Sequence, residues 1–183
     1  MALSTEQIQQ QIVEVPLGVI ATLAGRTLSV KGKLGEAKKH LDKVNVNLSV
    51  EGNKVRISPF SLKKKDNVIV NTVVSLVNNM ITGVSKGYTY RLKVVYAHFP
   101  ISVKTKGDEI HVENFVGERS PRVAKIVGAC KVTIEGDDVI VKGVSVEDVG
   151  QTAANVELAT KIKRKDQRIF LDGVYIYQKE EGF

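Results

Sequence analysis

The sequence predicts an α+β protein of two tandem duplicated domains, each a small antiparallel β-sheet packed against one principal α-helix. Three observations predict this class: an internal repeat, alternating apolar strands separated by Gly-containing turns, and one helix-like apolar stripe late in each half.

Gly25-Arg26-Thr27-Leu28-Ser29-Val30-Lys31-Gly32-Lys33-Leu34-Gly35-Glu36 aligns with Gly107-Asp108-Glu109-Ile110-His111-Val112-Glu113-Asn114-Phe115-Val116-Gly117-Glu118. The shared pattern is Gly, then Leu or Ile, Val, Leu or Val, and Gly-Glu. Upstream, Pro16 with Val19 echoes Pro100 with Val103. Downstream, Glu51-Gly52-Asn53-Lys54-Val55-Arg56-Ile57 echoes Glu135-Gly136-Asp137-Asp138-Val139-Ile140-Val141. Three echoes in one order, with small insertions, indicate duplication where one alone would not.

The elements follow in chain order. Ser4-Thr5-Glu6-Gln7 resembles a capping box for a short N-terminal helix. Leu28 and Val30, then Val44, Val46, Leu48 and Val50, then Val55 and Ile57, alternate as half-buried strands do. Gly52-Asn53 and Gly136-Asp137-Asp138 read as hairpin turns. The stretch Val68–Ile81 is rich in β-branched residues, which favour strands. Its apolar positions Ile69, Val73, Leu76, Val77, Met80 and Ile81 keep a helical period, and Asp66 reads as the cap. Val149, Ala153, Val156 and Ile162 follow a similar period behind Asp148. The boundary falls at Gly83–Gly87, dividing the chain into 1–84 and 85–183.

The whole-chain numbers bound the function. The chain has 183 residues, a formal charge of +7 and a pI near 9.4. A basic excess favours a polyanionic partner. The single cysteine, Cys130, excludes an internal disulfide and any multi-cysteine metal site. It reads as a small core residue, and its solitude fits a reducing, cytoplasmic setting. The most apolar run, Val68–Ile81, is shorter than the roughly 20 residues a membrane crossing needs and contains Asn71, Asn78 and Asn79. The first residues lack the charge and apolar core of a secretory signal. No membrane partner, metal or cofactor is expected.

The cations are sorted along the chain. Residues 1–85 hold 11 Lys and Arg against 6 Asp and Glu, and residues 86–183 hold 16 against 14. Within the second half, residues 86–106 carry Lys86, Arg91, Lys93, Lys104 and Lys106 with no acid. Residues 161–168 carry Lys161, Lys163, Arg164, Lys165 and Arg168 with only Asp166. Tyr88–Tyr96 reads as a strand with Tyr88, Tyr90, Leu92, Val94 and Tyr96 on the core face. Thr89, Arg91, Lys93 and Val95 then share the other face, where two cations at fixed spacing suit phosphate oxygens. A solvated strand also needs Lys and Arg, so the pattern leaves both readings open. Lys161–Arg168 is equally a set of favourable cations after a helix C-terminus and a backbone-gripping loop. Lys63-Lys64-Lys65 reads as a solvated loop. Aromatic content is only 5% and Trp is absent, so base stacking is not indicated and contacts to backbone and shape are.

Enzyme signatures fail one by one. There is no phosphate-binding loop and no paired-glycine dinucleotide motif. Gly83-Val84-Ser85-Lys86-Gly87 has the letters of a nucleophile elbow, but that turn must run from strand to helix, and here it runs from helix to strand. His40, His98 and His111 are scattered. The adjacent acids Glu147 and Asp148 are explained by capping.

Taken together, these segments resemble one family closely: ribosomal protein L6 of the large subunit. The resemblance rests on Pro16-Leu17-Gly18-Val19, Lys31–Glu36, Leu76-Val77-Asn78-Asn79-Met80-Ile81-Thr82-Gly83-Val84 and Asp148-Val149-Gly150-Gln151-Thr152-Ala153-Ala154-Asn155-Val156. Val95–Ile101 and Lys165–Tyr175 look like its archaeal and eukaryotic branch. The resemblance implies a non-enzymatic constituent of the large ribosomal subunit that binds rRNA. It also implies that the second half docks near the sarcin–ricin loop, with neighbouring ribosomal proteins and translation factors close by. The RNA-contacting residues expected are Lys86, Thr89, Arg91, Lys93, Lys104, Gly150, Gln151, Lys161, Lys163, Arg164, Lys165 and Arg168. Gly150 and Gln151 enter on the expectation that they open a helix whose N–H groups receive a phosphate; close packing at Gly150 is the alternative. The competing function is a basic protein-interaction module that does not read RNA.

Overall fold

A computed structural model describes residues 10–61, 63–163, 165–166 and 168–183, without the side chains of Lys64 and Lys65. The helix expected at Ser4–Gln7 lies outside the described residues. The chain divides into two compact units, the first ending at Ser85 and the second spanning Lys86–Phe183.

In the first unit the strands are β1 (Gln11–Glu14), β2 (Ile20–Ala24), β3 (Thr27–Gly32), β4 (Gly35–His40), β5 (Val46–Glu51) and β6 (Lys54–Pro59), followed by α1 (Lys64–Ser85). They form two antiparallel sheets, ordered β1-β6-β5 and β2-β3-β4, where one sheet was expected. The break lies between β4 and β5. The Val44 N–H donates to the Leu41 carbonyl and the Val46 N–H to the Val44 carbonyl, so Val44 turns the chain instead of opening a strand. The helix is longer than its apolar run at both ends. Asp66 sits inside its first turn, where a carboxylate complements the helix dipole and accepts a 2.5 Å hydrogen bond from the Ser61 hydroxyl.

The expectation that no segment reaches crossing length is corrected by α1. Asp66–Ser85 is long and apolar enough by length and composition. Its stripe of Val70, Val73, Val77, Ile81 and Val84 is buried, while Asn71, Thr72 and Ser75 face outward, which is the pattern of a core helix. The helix end is pinned to the β3–β4 turn. Leu34 N–H donates to the Val84 carbonyl at 3.1 Å, and a Cβ at Gly32 would sit 2.7 Å from the same oxygen. The Gly-Lys-Leu-Gly motif is thus a close-approach device.

The second unit contains β7 (Tyr88–Val95), β8 (Ser102–Lys106), β9 (Glu109–Glu113), β10 (Arg122–Lys125), β11 (Lys131–Glu135), β12 (Asp138–Gly143), α2 (Val146–Ala159) and β13 (Gly173–Glu181). Its sheets are ordered β11-β12-β7-β13 and β10-β9-β8, all antiparallel. β7 is therefore a central strand flanked by β12 and β13. The glycines of the sequence repeat take matching places. Gly25, Gly52, Gly107 and Gly136 each open a two-residue hairpin loop at φ between +57° and +61°. A positive φ at the first loop residue alone fits a type II′ turn, which favours Gly there.

The core of the second unit lies on one face of the four-stranded sheet. Leu92, Val94, Val139, Val141 and Val174 meet Val149, Ala153 and Val156 of α2, joined by Ile110 and Ala124 from the smaller sheet. The helix begins at Val146 with Ser145 as cap, its hydroxyl accepting from the Asp148 N–H at 3.3 Å. Asp148 is thus a first-turn residue, not the cap. Ile162 lies beyond the helix, buried with Val112 and Phe115. Cys130 is half-buried beside this core, and burial pushes its thiol pKa up, so it stays protonated near neutrality.

Gly143 fixes how near α2 comes to β12. A Cβ there would lie 2.7 Å from a Val149 methyl and 3.2 Å from the Cys130 sulfur. Gly143→Ala is expected to overpack this contact and destabilise the protein by about 1–3 kcal/mol in urea unfolding. An unchanged midpoint would show that the contact relaxes freely.

Candidate nucleic-acid interface

The β-sheet period sorts β7 into two faces, and α2 occupies one of them. On the other, the register sets Lys131 opposite Lys142, Thr133 opposite Ile140, and Glu135 opposite Asp138. The next strand adds Thr89, Arg91 and Lys93, and β13 adds Tyr175 opposite Lys93. Arg91, Lys93, Lys131 and Lys142 therefore share one outward face.

Several expected cations have acidic partners drawn from distant sequence. Arg91 Nε lies 3.4 Å from Glu180, Lys93 Nζ 3.3 Å from Asp138, and Lys86 Nζ 3.8 Å from Glu181. Lys104 Nζ donates to Glu113 at 2.6 Å, and that bond holds the Glu113 pKa below the usual carboxylate range. The acid-free stretch of sequence is not acid-free in space. Exposed pairs of this kind contribute only about 0–1 kcal/mol, so an arriving phosphate can displace them.

Two expectations change on geometry. Thr89 is only 2% exposed, and its hydroxyl donates to the carbonyl of Gly182, the residue that follows β13. Gly150 and Gln151 do not open a helix. α2 starts at Val146, and the Val149 N–H already donates to the Ser145 carbonyl, so the unpaired N–H groups belong to residues one turn earlier. The Gln151 side chain donates to Asn155 Oδ1 at 2.9 Å. Close packing at Gly150 is not demanded either: an added Cβ would meet Tyr90 at an ordinary 3.7 Å.

Beyond α2, Lys161 and Lys163 are exposed and have no acidic partner among the described residues. Lys165 Nζ stands 4.5 Å from the centre of the Phe170 ring. Arg168 makes a two-pronged pair with Asp166 at 3.1 and 3.2 Å, which lowers the Asp166 pKa. Arg164 lies outside the described residues.

The sequence reading missed Lys131 and Lys142. They are direct cross-strand neighbours, an arrangement that like charges destabilise, and neither has an acidic partner among the described residues. Only the strand register could have exposed the pair, since the two lie eleven positions apart and in separate strands.

Arg122, also missed, organises the helix end. Its guanidinium lies 4.3 Å from the Phe115 ring centre, makes a two-pronged bond to Glu118 at 2.6 and 2.8 Å, and donates to the Ala159 and Lys161 carbonyls at 2.9 and 3.1 Å. It thereby ties the Ala159 carbonyl at the end of α2 and the Lys161 carbonyl beyond it to a turn in which Asn114 and Val116 both adopt left-handed φ. A β-branched residue there costs energy, about 1–3 kcal/mol, that the surrounding contacts must offset.

The described residues show no grouping of His, Cys, Asp and Glu suited to a metal. Ser85 ends a helix and Lys86 precedes a strand, so the elbow-like motif is a linker. Basic side chains on one sheet face, with more at the helix end, suit a polyanion and no bond-breaking chemistry.

Comparison with known proteins agrees with this class of binding protein. The family described as Ribosomal protein L6 matches residues 15–87 and 99–173. The chain is 49% identical over 181 residues to the large ribosomal subunit protein uL6 of Archaeoglobus fulgidus, covering 96% of this chain and 92% of that protein. It is 43% identical over 178 residues to uL6 of Methanocella arvoryzae, covering 97% and 99%. Against uL6 of Ignicoccus hospitalis the identity is 44% over 174 residues, covering 92% and 94%. The chain belongs to the ribosomal protein L6 family, whose members are structural and not enzymes.

Replacing Arg122 by Ala is expected to cost about 1–3 kcal/mol, the usual range for lost bonds to a charged group. The same change should alter the acid limb. Arg122 holds Glu118 below its ordinary value of 4.5, so this contribution is present above about pH 4.5 and fades as pH falls through the lowered folded value. Stability measured from pH 7 to 3 should therefore fall less steeply in the variant. Parallel curves would refute the clamp.

Proposed function

We propose that this chain is an rRNA-binding structural constituent of the large ribosomal subunit in the cytoplasm, built of tandem copies of one α+β repeat at 1–84 and 85–183. The second repeat carries the RNA surface. The observation that carries the reading is the Lys131–Lys142 pair on the same sheet face as Arg91 and Lys93. Such a grouping is unfavourable on an isolated protein and favourable against phosphates. Lys161, Lys163, Lys165 and Arg168, which follow α2, are further proposed contacts, with Lys86 and Lys104, and with Arg164 on the sequence alone. Neighbouring ribosomal proteins complete the setting.

The finer placement, beside the sarcin–ricin loop and the translation-factor site, is supported by family membership and by the crowding of candidate cations in the second unit. Contacts of this kind read backbone and shape, so affinity should drop steeply with salt. The competing module that binds protein alone would hold its partner through RNase treatment and moderate salt.

Salt titration of binding to an rRNA fragment containing the sarcin–ricin loop tests the reading. Lys131→Ala and Lys142→Ala should each weaken binding and reduce the slope of log affinity against log salt by about 1. Neither should lower stability, because each relieves a like-charge pair. Unchanged affinity and slope in the double variant would overturn the assigned face.

A further inference from the structure

At the end of α2 the second unit has an open cavity of about 400 Å³. Leu158, Ile162, Phe170 and Tyr175 give it apolar walls, and Thr160 contributes a hydroxyl already bonded elsewhere. The walls are held in place. The Tyr175 hydroxyl donates to the Leu171 carbonyl at 3.1 Å, and its ring lies so close to Gly173 that an added Cβ would come within 2.9 Å of it. His98 stacks on Phe170 with centroids 4.9 Å apart, while Ile162 is rooted in the Phe115 cluster. Leu158 nevertheless remains 61% exposed and Tyr175 42%. A preformed apolar recess with uncovered walls is a binding feature.

Its charges say what fits. Lys161 belongs to the lining, which puts one cation at the rim; Lys93, the backbone cross-strand neighbour of Tyr175, is engaged with Asp138 instead. Glu157 also lines the cavity and repels a phosphate from its interior. Anionic groups are thus favoured at the rim and an apolar, uncharged group inside. A nucleotide turned out of its stack has that distribution: a flat base between two phosphates.

We infer that this cavity receives one unstacked nucleobase of the bound RNA, placed against the Tyr175 ring and Leu158, with a flanking phosphate on Lys161. The inference rests on the rRNA reading and deepens it, adding base stacking to what is otherwise backbone contact. The walls come from α2, the segment after it and β13, which are far enough apart in sequence to hide the cluster from a linear reading.

The test uses the full chain and deproteinised archaeal large-subunit rRNA. Tyr175→Ala should weaken binding roughly ten- to a hundredfold, the usual range for one stacked base, with the salt slope unchanged because no phosphate contact is lost. Tyr175→Phe should bind within a few-fold of the wild type. Leu158→Ser, at an exposed wall, should weaken binding several-fold and guards against a folding defect in Tyr175→Ala. Ultraviolet irradiation should join the Tyr175 peptide to a single nucleotide. If Tyr175→Ala and Leu158→Ser bind normally while Lys131→Ala and Lys142→Ala bind weakly, the cavity assignment falls and the RNA reading stands. An adduct from Tyr175 to another protein in the assembled subunit would assign the cavity to a protein partner and overturn it. If none of these variants moves the affinity, both readings fall.

Discussion

The second unit depends on one packing constraint: a single helix covers a single face of a four-stranded sheet. Val149, Ala153 and Val156 press onto Leu92, Val139 and Val141, and Gly143 allows the close approach. Apolar burial of this kind is the dominant stabilising term, and strand alternation gives it a direction. With Leu92, Val94, Val132, Ile134, Val139 and Val141 committed to the α2 side, the alternate residues of β7, β11 and β12 must lie on the other face. Those residues include Arg91, Lys93, Lys131 and Lys142. The charged face follows from the core, since shifting any strand by one residue would bury the cations and expose the valines.

Much of the fold was legible because it rests on short-range rules. The hairpin glycines need positive φ, so Gly52 and Gly136 announced their loops, while Gly25 and Gly107 were read only as marks of the repeat. The periods of 2 and 3.6 separated strands from helices even in the β-branched run of α1. What failed was the position of ends and the number of sheets. Capping was assigned to Asp66 and Asp148, but Asp is favourable anywhere in a first turn, so it marks the neighbourhood of a helix start and not the start itself. Splitting the first unit into two sheets depends on backbone hydrogen bonds around Val44, which no side-chain pattern encodes.

The candidate surface was only half legible for the same reason. Charge sorting drew attention to β7 and to the segment after α2, both continuous in sequence. It could not show that Glu180, Glu181 and Asp138 come back to meet Lys86, Arg91 and Lys93, or that Thr89 is buried with its hydroxyl on Gly182. Nor could it bring Lys131 beside Lys142, or gather Leu158, Phe170 and Tyr175 around one recess. Arg122 was invisible as a hub because its partners, Phe115, Glu118 and the end of α2, are joined only by the fold. In each case the missing information is tertiary: register across strands, or the meeting of a loop with a helix end.

The central claim is that the basic face of the four-stranded sheet meets RNA. A photoreactive side chain placed at position 142, in otherwise intact chain assembled into the large subunit, tests it most directly. The account predicts attachment to rRNA from that position, and none from a matching probe at position 52, a hairpin tip of the first unit. Attachment from position 142 to protein alone, or to nothing, would contradict it.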